Sequence, residues 1–526
     1  MRWYVLVAAL ALSACQPNRF FSGWVPYWGG SAARQAIVDP NARTLFSEVS
    51  LMWYGTGTDG TLPLMGSTGD LSAAVDAARS GGLPVIPTIF DSSATGVMRA
   101  IIHDPVRRAA HVQHIVDTVT TGIGGIAYDG IDLDYEVFAF GDGRAAWPSI
   151  KPDWIAFVTS LGNALHAKGK LLSVTVPPVW NGGATGYTVY AQHDIAPAVD
   201  RLRLMVYDWS NTNPGPIAPK SWVQSVLAYS SSQVPTAKLQ LGIPAYGREW
   251  RYQKVSLQVC PDRASFGHKS LDMSATTALA AAHHVKPTRD ASGELTFAWD
   301  EKVTGPRITP PVIQSIGPAV TAVTSRGDNA GLQPALRLGS PVPVTCTVRH
   351  VVFVPDAASM RASVSAALAA HWSGAIVWAL GYENTALYQQ LSTIAQQRAV
   401  GTLGVRLDAP VLTGTSALVT GVAVHPEFDL PLPVTLTLTR TISGTGTGTG
   451  ASVGTGTPIV VTTRTLTARA LRTGLPAGVG PFHGIEATFA SLAPGNYSVC
   501  AKANLWAGAP TTPNPCQTFT ITAPAV

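Results

Sequence analysis

Charge is scarce in this chain of 526 residues: Asp, Glu, Lys and Arg make up 13%, against roughly 25% in a typical soluble domain. With 46% hydrophobic residues and a mean hydropathy of +0.18, a disordered polyampholyte is excluded and a large core is available. The 36 basic and 31 acidic residues are scattered, so the net charge of +5 forms no cationic stripe and no nucleic-acid partner is expected. A membrane-spanning run is also missing. The apolar stretch from Val5 to Ala14 is ten residues long, half of the roughly 20 that a bilayer requires, and after Met1-Arg2-Trp3-Tyr4 it reads as a signal-peptide core. Cysteine is limited to five. Apart from Cys15, the spacing of Cys260, Cys346, Cys500 and Cys516 is not that of a zinc site. In an exported chain disulfides are expected, and the positions favour Cys260 with Cys346 and Cys500 with Cys516. The short second loop alone would contribute ~3 kcal/mol. Neither a metal nor a cofactor is expected.

Length alone suggests about three domains, but an α/β barrel with insertions can take up roughly 200 to 400 residues. Apolar, β-branched runs fall at 23–27, 49–54, 84–90, 130–136, 171–176, 203–207, 239–246 and 375–380. Most are separated by helical patterns. Asp104-Pro105 supplies a cap and a first-turn proline before Val112, Ile115, Val116 and Val119; Asp153 is expected to cap a helix carrying Phe157, Val158, Leu161 and Leu165. Eight strands alternating with helices predict a (β/α)8 barrel over residues 22–398. The long gap before the eighth run, with strand-like Leu295 to Trp299, predicts a small α+β insertion at about 251–350. From 402 to 526 the chain is rich in Thr, Val, Gly and Pro without helical periodicity, which predicts an all-β, Ig-like sandwich. The Gly-Thr repeat at 444–450 reads as a surface loop.

The chemistry concentrates on the fourth run. In Asp129-Gly130-Ile131-Asp132-Leu133-Asp134-Tyr135-Glu136, the two-residue period puts Asp132, Asp134 and Glu136 on one face and Ile131, Leu133 and Tyr135 on the other. Packing three carboxylates side by side in a barrel lumen costs several kcal/mol without a compensating purpose. Glu136 is uppermost, at the strand end where barrel enzymes act. Repulsion should force a proton to be shared in the ladder, leaving Glu136 able to act as a general acid. Trp24, Tyr27, Trp28, Trp53 and Phe90 lie at strand ends, either as packing or as sugar-stacking surfaces. His111 and His114 read as one amphipathic helix face, exposed or half-buried, not as a metal pair.

The pattern Asp-x-x-Asp-x-Asp-x-Glu, filled by Asp129, Asp132, Asp134 and Glu136, resembles the signature of family 18 glycoside hydrolases. Met205-Val206-Tyr207-Asp208, Pro244 to Arg248 and Trp378 resemble that family's segments on strands six, seven and eight. The third run ends Ile89-Phe90-Asp91, where many chitinases of the family carry Ser-x-Gly-Gly. The resemblance implies substrate-assisted hydrolysis, with Glu136 as acid/base, Asp134 and Tyr207 holding the 2-acetamido group, and Asp132 sharing a proton with Asp134. It also implies substrate contacts from Asp208, Trp378, Tyr27, Met205, Phe90 and Arg248. Asp91 and Asp208 are the nucleophile candidates if the mechanism is of the ordinary retaining kind. The implied partner is an N-acetylglucosamine polysaccharide, chitin or peptidoglycan, acted on by a monomer; Tyr246 to Trp250 resembles bacterial relatives acting on cell-wall or spore-cortex glycans. A lectin of the same fold is the alternative, and Glu136 argues for the enzyme. Leu12-Ser13-Ala14-Cys15 resembles a lipobox, which implies signal residues 1–15, lipidation of Cys15 and an extracytoplasmic membrane lipoprotein, the alternative being secretion.

Overall fold

A computed structural model describes residues 20–522, apart from 257, 262–263, 307–342, 396–403, 425–431, 443–456, 469, 473–474, 476–481 and 504–514. The expectations for Cys15 and for the Gly-Thr repeat lie outside the described residues. Eight parallel strands close into a barrel: β1 (Phe20–Pro26), β2 (Glu48–Tyr54), β3 (Thr88–Phe90), β4 (Gly130–Asp134), β5 (Leu171–Val176), β6 (Arg201–Leu204), β7 (Leu239–Pro244) and β8 (Gly374–Trp378). Every neighbour in sequence order is a neighbour in space, and β8 pairs with both β7 and β1. This is the (β/α)8 barrel that the eight runs predict.

Several strands stop earlier than the apolar runs suggest. Tyr135-Glu136, Met205 to Asp208, and Ala379-Leu380 all lie just beyond β4, β6 and β8. Hydrophobic patterning continues past the ladder because these residues still face the packed barrel mouth, where their backbone turns toward the helices.

The helix Pro105–Thr121 begins as expected, with the Asp104 carboxylate accepting from the backbone N–H groups of Val106 and Arg107 at 2.8 and 3.0 Å. The cap assigned to Asp153 is corrected: that helix runs Trp147–His166, so Asp153 lies inside it and pairs with His103 Nδ1 at 2.8 Å. Pro152 is also inside, and the helix starts upstream, at buried Trp147, whose indole N–H donates to the Ala139 carbonyl at 2.9 Å.

Between β7 and β8 a five-stranded antiparallel sheet is inserted, ordered Gly267–Asp272, Tyr246–Gln253, Pro343–Val354, Leu295–Pro306, Thr288–Arg289, with the helix Met273–Ala282. It starts at Tyr246, only two residues after β7, earlier than the expected 251. The Cys260–Cys346 disulfide is formed, and its sulfurs belong to a small apolar cluster with Ala264, Val303 and Val348. After the barrel, two antiparallel sheets share an apolar core that includes Leu407, Val434, Leu436, Leu438, Phe489, Val499 and Phe519. Val434, Leu436 and Leu438 are buried at a two-residue period, the alternation of a half-buried strand. Cys500 and Cys516 are joined across two of these strands.

Candidate active site

The ladder owes its direction to the apolar side of β4. Tyr135 is buried there between Phe157 and His111, at ring distances of 5.9 Å each. His111 Nδ1 lies 2.6 Å from the Gly60 carbonyl, which can only accept, so Nδ1 carries the proton and Nε2 accepts from the Tyr135 hydroxyl at 2.7 Å. Burial pushes His111 down to about 4, consistent with that neutral ring. The half-exposed helix face expected for His111 is thus corrected: the ring is a core group, recruited because one residue satisfies two buried partners. The Tyr190 hydroxyl donates to the Tyr135 carbonyl at 2.7 Å and fixes the peptide that leads into Glu136. With Tyr135 locked outward, its neighbours Asp134 and Glu136 face the mouth.

The four acids of the motif occupy different environments. Asp129 lies at the base, accepting from the Val85 N–H at 2.8 Å and pairing with Arg79 at 2.5 Å. Asp132 is fully buried. Its Oδ2 accepts from Trp24 Nε1 at 3.0 Å and Thr88 Oγ1 at 3.1 Å, Thr175 Oγ1 reaches both its oxygens at 3.1 Å, and Arg203 pairs with Oδ2 at 3.1 Å. Asp134 is buried with Oδ1 unpartnered among the described residues. Burial, then the charges of Glu136 and Asp132, hold its carboxyl well above the usual carboxylate range. Glu136 caps the ladder. Burial first, with the charges of Asp208 and Asp91, pushes it up to about 7.

The other expected residues gather around this group. Tyr207 and Asp208 follow β6; burial and the nearby acids raise the Tyr207 hydroxyl. Asp208 has a positive φ of 61° and accepts hydrogen bonds from the Tyr246 hydroxyl and from Arg248, the latter at 2.7 Å. The expectation that Arg248 contacts substrate is corrected: the side chain is buried, with Nη2 on Asp208 and Nη1 on the Ser210 carbonyl at 2.8 Å. Its planar fork serves the loop after β6. Met205 is half-buried at the start of that segment. Trp378 ends β8, half-buried, with its ring edge-on to Trp24 at 5.9 Å and Trp28 at 6.2 Å. Tyr27 and Phe90 stack on one another at 6.3 Å. Of the five strand-end aromatics, Trp24 and Trp53 are core, whereas Trp28 is half exposed. Asp91 is tied down by Thr56 and Ser93, which donate to Oδ1 at 3.0 and 2.6 Å.

Two contributors were not anticipated. Arg203 lies under the ladder, and its signal is the alternation Arg201-Leu202-Arg203-Leu204, which puts two cations on one strand face. Glu294, in the turn just before the Leu295–Pro306 strand of the insertion, accepts from the backbone N–H groups of Ile217 and Ala218 at 2.8 and 2.5 Å. Together with Trp250, whose indole N–H donates to the Asn211 carbonyl at 2.8 Å, it straps down the loop that follows Asp208. No local pattern marks Glu294, because its partners are backbone groups almost 80 residues away in sequence.

Residues 92–309 match the model of glycosyl hydrolases family 18. A chitinase-like effector of Moniliophthora roreri is 28% identical over 275 residues, covering 48% of this chain and 64% of that protein. The uncharacterized glycosylase YvbX of Bacillus subtilis (strain 168) is 30% identical over 128 residues, 24% of this chain and 35% of that one. The chain thus spans less than two thirds of the length of these curated relatives. Among solved structures, the chitinase of Chromobacterium violaceum ATCC 12472 superposes with a TM-score of 0.53 at 23% identity, covering 72% of this chain and all of that one. The Bacillus cereus spore cortex-lytic enzyme SleL gives 0.53 at 17% identity, covering 72% and 75%. At these identities the structural likeness speaks for the barrel fold alone, and the likeness to glycosyl hydrolases family 18 rests on the match over residues 92–309.

Proposed function

We propose that the protein is a retaining glycoside hydrolase that cleaves β-1,4 bonds beside N-acetylglucosamine, in chitin or peptidoglycan-type glycans. The observation that carries this reading is Glu136: a carboxyl at the barrel mouth, pushed up to about 7 by burial and by Asp208 and Asp91, holds a proton near neutral pH, as a general acid must. Glu136 donates that proton to the glycosidic oxygen as the bond to the anomeric carbon breaks. The substrate's own 2-acetamido carbonyl closes on that carbon to give an oxazolinium ion, in keeping with the substrate-assisted route of this family. Asp134, with a free carboxyl oxygen, accepts from the acetamido N–H, and Tyr207 donates to its carbonyl end. Ionised Glu136 then takes a proton from water, which opens the ring with retention of configuration. Trp378 supplies an apolar floor for the sugar. Asp91 and Asp208 are already engaged by Thr56 and Ser93, and by Tyr246 and Arg248, which favours the acetamido group over either carboxylate as nucleophile.

The same reading puts the enzyme outside the cytoplasm, anchored through a lipid on Cys15 and working as a single chain, since every site residue comes from one barrel. The two disulfides support an oxidising compartment. The test is product analysis on chitooligosaccharides and on peptide-free peptidoglycan strands, with NMR of the newly formed reducing end. Initial formation of the β-anomer from either polymer is expected; the α-anomer, or no cleavage of both, refutes the proposal.

A further inference from the structure

The C-terminal sandwich does not cover all of its own inner face. One of its sheets is ordered Thr457–Thr467, Pro433–Ile442, Gly495–Ala503, Cys516–Ile521, with Thr457–Thr467 at the edge. Along Pro433–Ile442 the inner row is Val434, Leu436 and Leu438, all buried, and the two-residue period puts Arg440 next in that row. The edge strand follows suit: Arg464 stands opposite Leu436, Thr462 opposite Leu438 and Ile459 opposite Arg440. A face that is core at one end is therefore cationic at the other. There it lines a groove of about 470 Å³, bounded across from the edge strand by residues 489–493, where the chain crosses from one sheet to the other. Ile459 and Val461, on its near wall, are 45% and 43% exposed. We propose that this groove binds an anionic saccharide, a glycan strand whose sugars carry carboxylate or phosphate groups.

The two guanidinium groups are oriented but not neutralised. Arg464 lies over the Phe489 ring at 5.2 Å and donates to the Thr488 carbonyl at 2.7 Å, while Arg440 lies over the Tyr497 ring at 6.0 Å and donates to the Pro494 carbonyl. Both rings are buried, so they fix the planes of the cations and leave their outer edges to the groove. Neither arginine meets a carboxylate among the described residues, and Arg440 Nε is buried without a partner. No acidic residue lines the groove among the described residues. Glu486 belongs to the outward row of its strand, between buried Ile485 and Ala487. Planar forks of this kind take carboxylate or phosphate oxygens two at a time. Arg464 is level with Leu436, four residues before Arg440, so the two forks are ~13 Å apart along the strand direction, which suits anions on separate rings of an oligomer. The Thr462 and Ser491 hydroxyls and the exposed flanks of Ile459 and Val461 add hydrogen-bonding and apolar surface for the rings themselves. An acidic peptide could meet the same arginines; a glycan is favoured because the barrel on this chain, by the proposed function, works on one, and a second grip on that polymer raises the effective concentration of the first.

The choice of a glycan rests on the proposed function, but the test does not need turnover. Titration calorimetry of the whole protein at low salt uses hexagalacturonate, which is carboxylated and lacks the acetamido group required in the barrel, and phosphorylated maltohexaose, with neutral maltohexaose and polyglutamate beside them. At least one of the two anionic oligomers is expected to bind with a Kd below ~1 mM, more tightly than either control, and the tighter of the two identifies the anion. Glu136→Gln should leave that Kd unchanged, and Arg440→Gln/Arg464→Gln should raise it about tenfold or more. Binding of neither anionic oligomer, equal binding by the double variant, or polyglutamate or neutral maltohexaose binding as tightly overturns the inference. If removal of Arg440 from Tyr497 unfolds the sandwich, Arg464→Gln alone, at an exposed position, should raise the Kd about threefold, and an unchanged value overturns the inference equally. Binding as expected by a protein that cleaves no glycan would sink the proposed function and leave the groove standing; cleavage by a protein that binds neither anionic oligomer would do the reverse.

Discussion

Replacing Glu136 by Gln should affect activity and stability in opposite directions. The carboxyl moves from an ordinary 4.5 to about 7 in the folded barrel, which corresponds to ~3 kcal/mol between its two protonation states. Because the side chain is only partly covered, solvent screening reduces this to about half. The sign follows from the direction. A carboxyl raised on folding contributes stability that is complete below about pH 4.5 and disappears as the pH climbs through about 7. Glutamine has no proton to lose, so Glu136→Gln should match the wild type at pH 4 and exceed it by about 1–2 kcal/mol at pH 8. Releasing Asp134 from the charge of Glu136 adds to the gain. Hydrolysis, by contrast, should fall by at least ~10²-fold, and the wild-type rate should decline above about pH 7 as the acid deprotonates. Calorimetric melting of both proteins across that range, beside their rates on one oligosaccharide, is the assay. A variant no more stable than wild type at pH 8 would show that Glu136 is not desolvated as the structure implies. Near-normal turnover would remove it from the chemistry.

The remaining expectations are briefer. A thiazoline analogue of N-acetylglucosamine should inhibit, and matched substrates lacking the acetamido group should not turn over; a glycosyl ester trapped on Asp91 or Asp208 would contradict both. Glu294→Gln, which sets an amide N–H against the Ile217 and Ala218 N–H groups, should loosen the loop bearing Asp208 and raise KM several-fold, and an unchanged KM would refute the strap. Loss of the Cys500–Cys516 bridge should cost the sandwich ~3 kcal/mol without lowering hydrolysis of short soluble substrates, and a parallel loss of that activity would tie the sandwich to catalysis. Cys15→Ala should release the protein from membranes; wild type recovered soluble with its signal removed elsewhere would exclude the anchor.

The barrel was legible because its strands are apolar and separated by marked helices, and the ladder because a two-residue period of acids on an otherwise apolar strand has no cheap structural explanation. Reading failed where the decisive partner was remote. Asp153 resembled a cap because it follows Pro152 ahead of an apolar stripe, yet the Trp147 indole at the Ala139 carbonyl starts the helix upstream. His111 looked like a surface residue because nothing local predicts that Gly60 and Tyr135 meet its two nitrogens. Arg248 looked like a substrate ligand because it stands beside catalytic-looking residues, but the Asp208 carboxylate claims it first. Each failure has the same origin: polarity in sequence does not reveal which buried polar atom across the fold will satisfy it.

The acids of the motif illustrate how one strand can serve two ends. Near its base Asp129 and Asp132 meet Arg79 and Arg203, so their burial is compensated and they help to hold the barrel shut. Toward its top Asp134 and Glu136 meet no cation among the described residues, and their carboxyls are raised instead. A change of partner over a few residues of one strand therefore separates charge kept for structure from protons kept for chemistry.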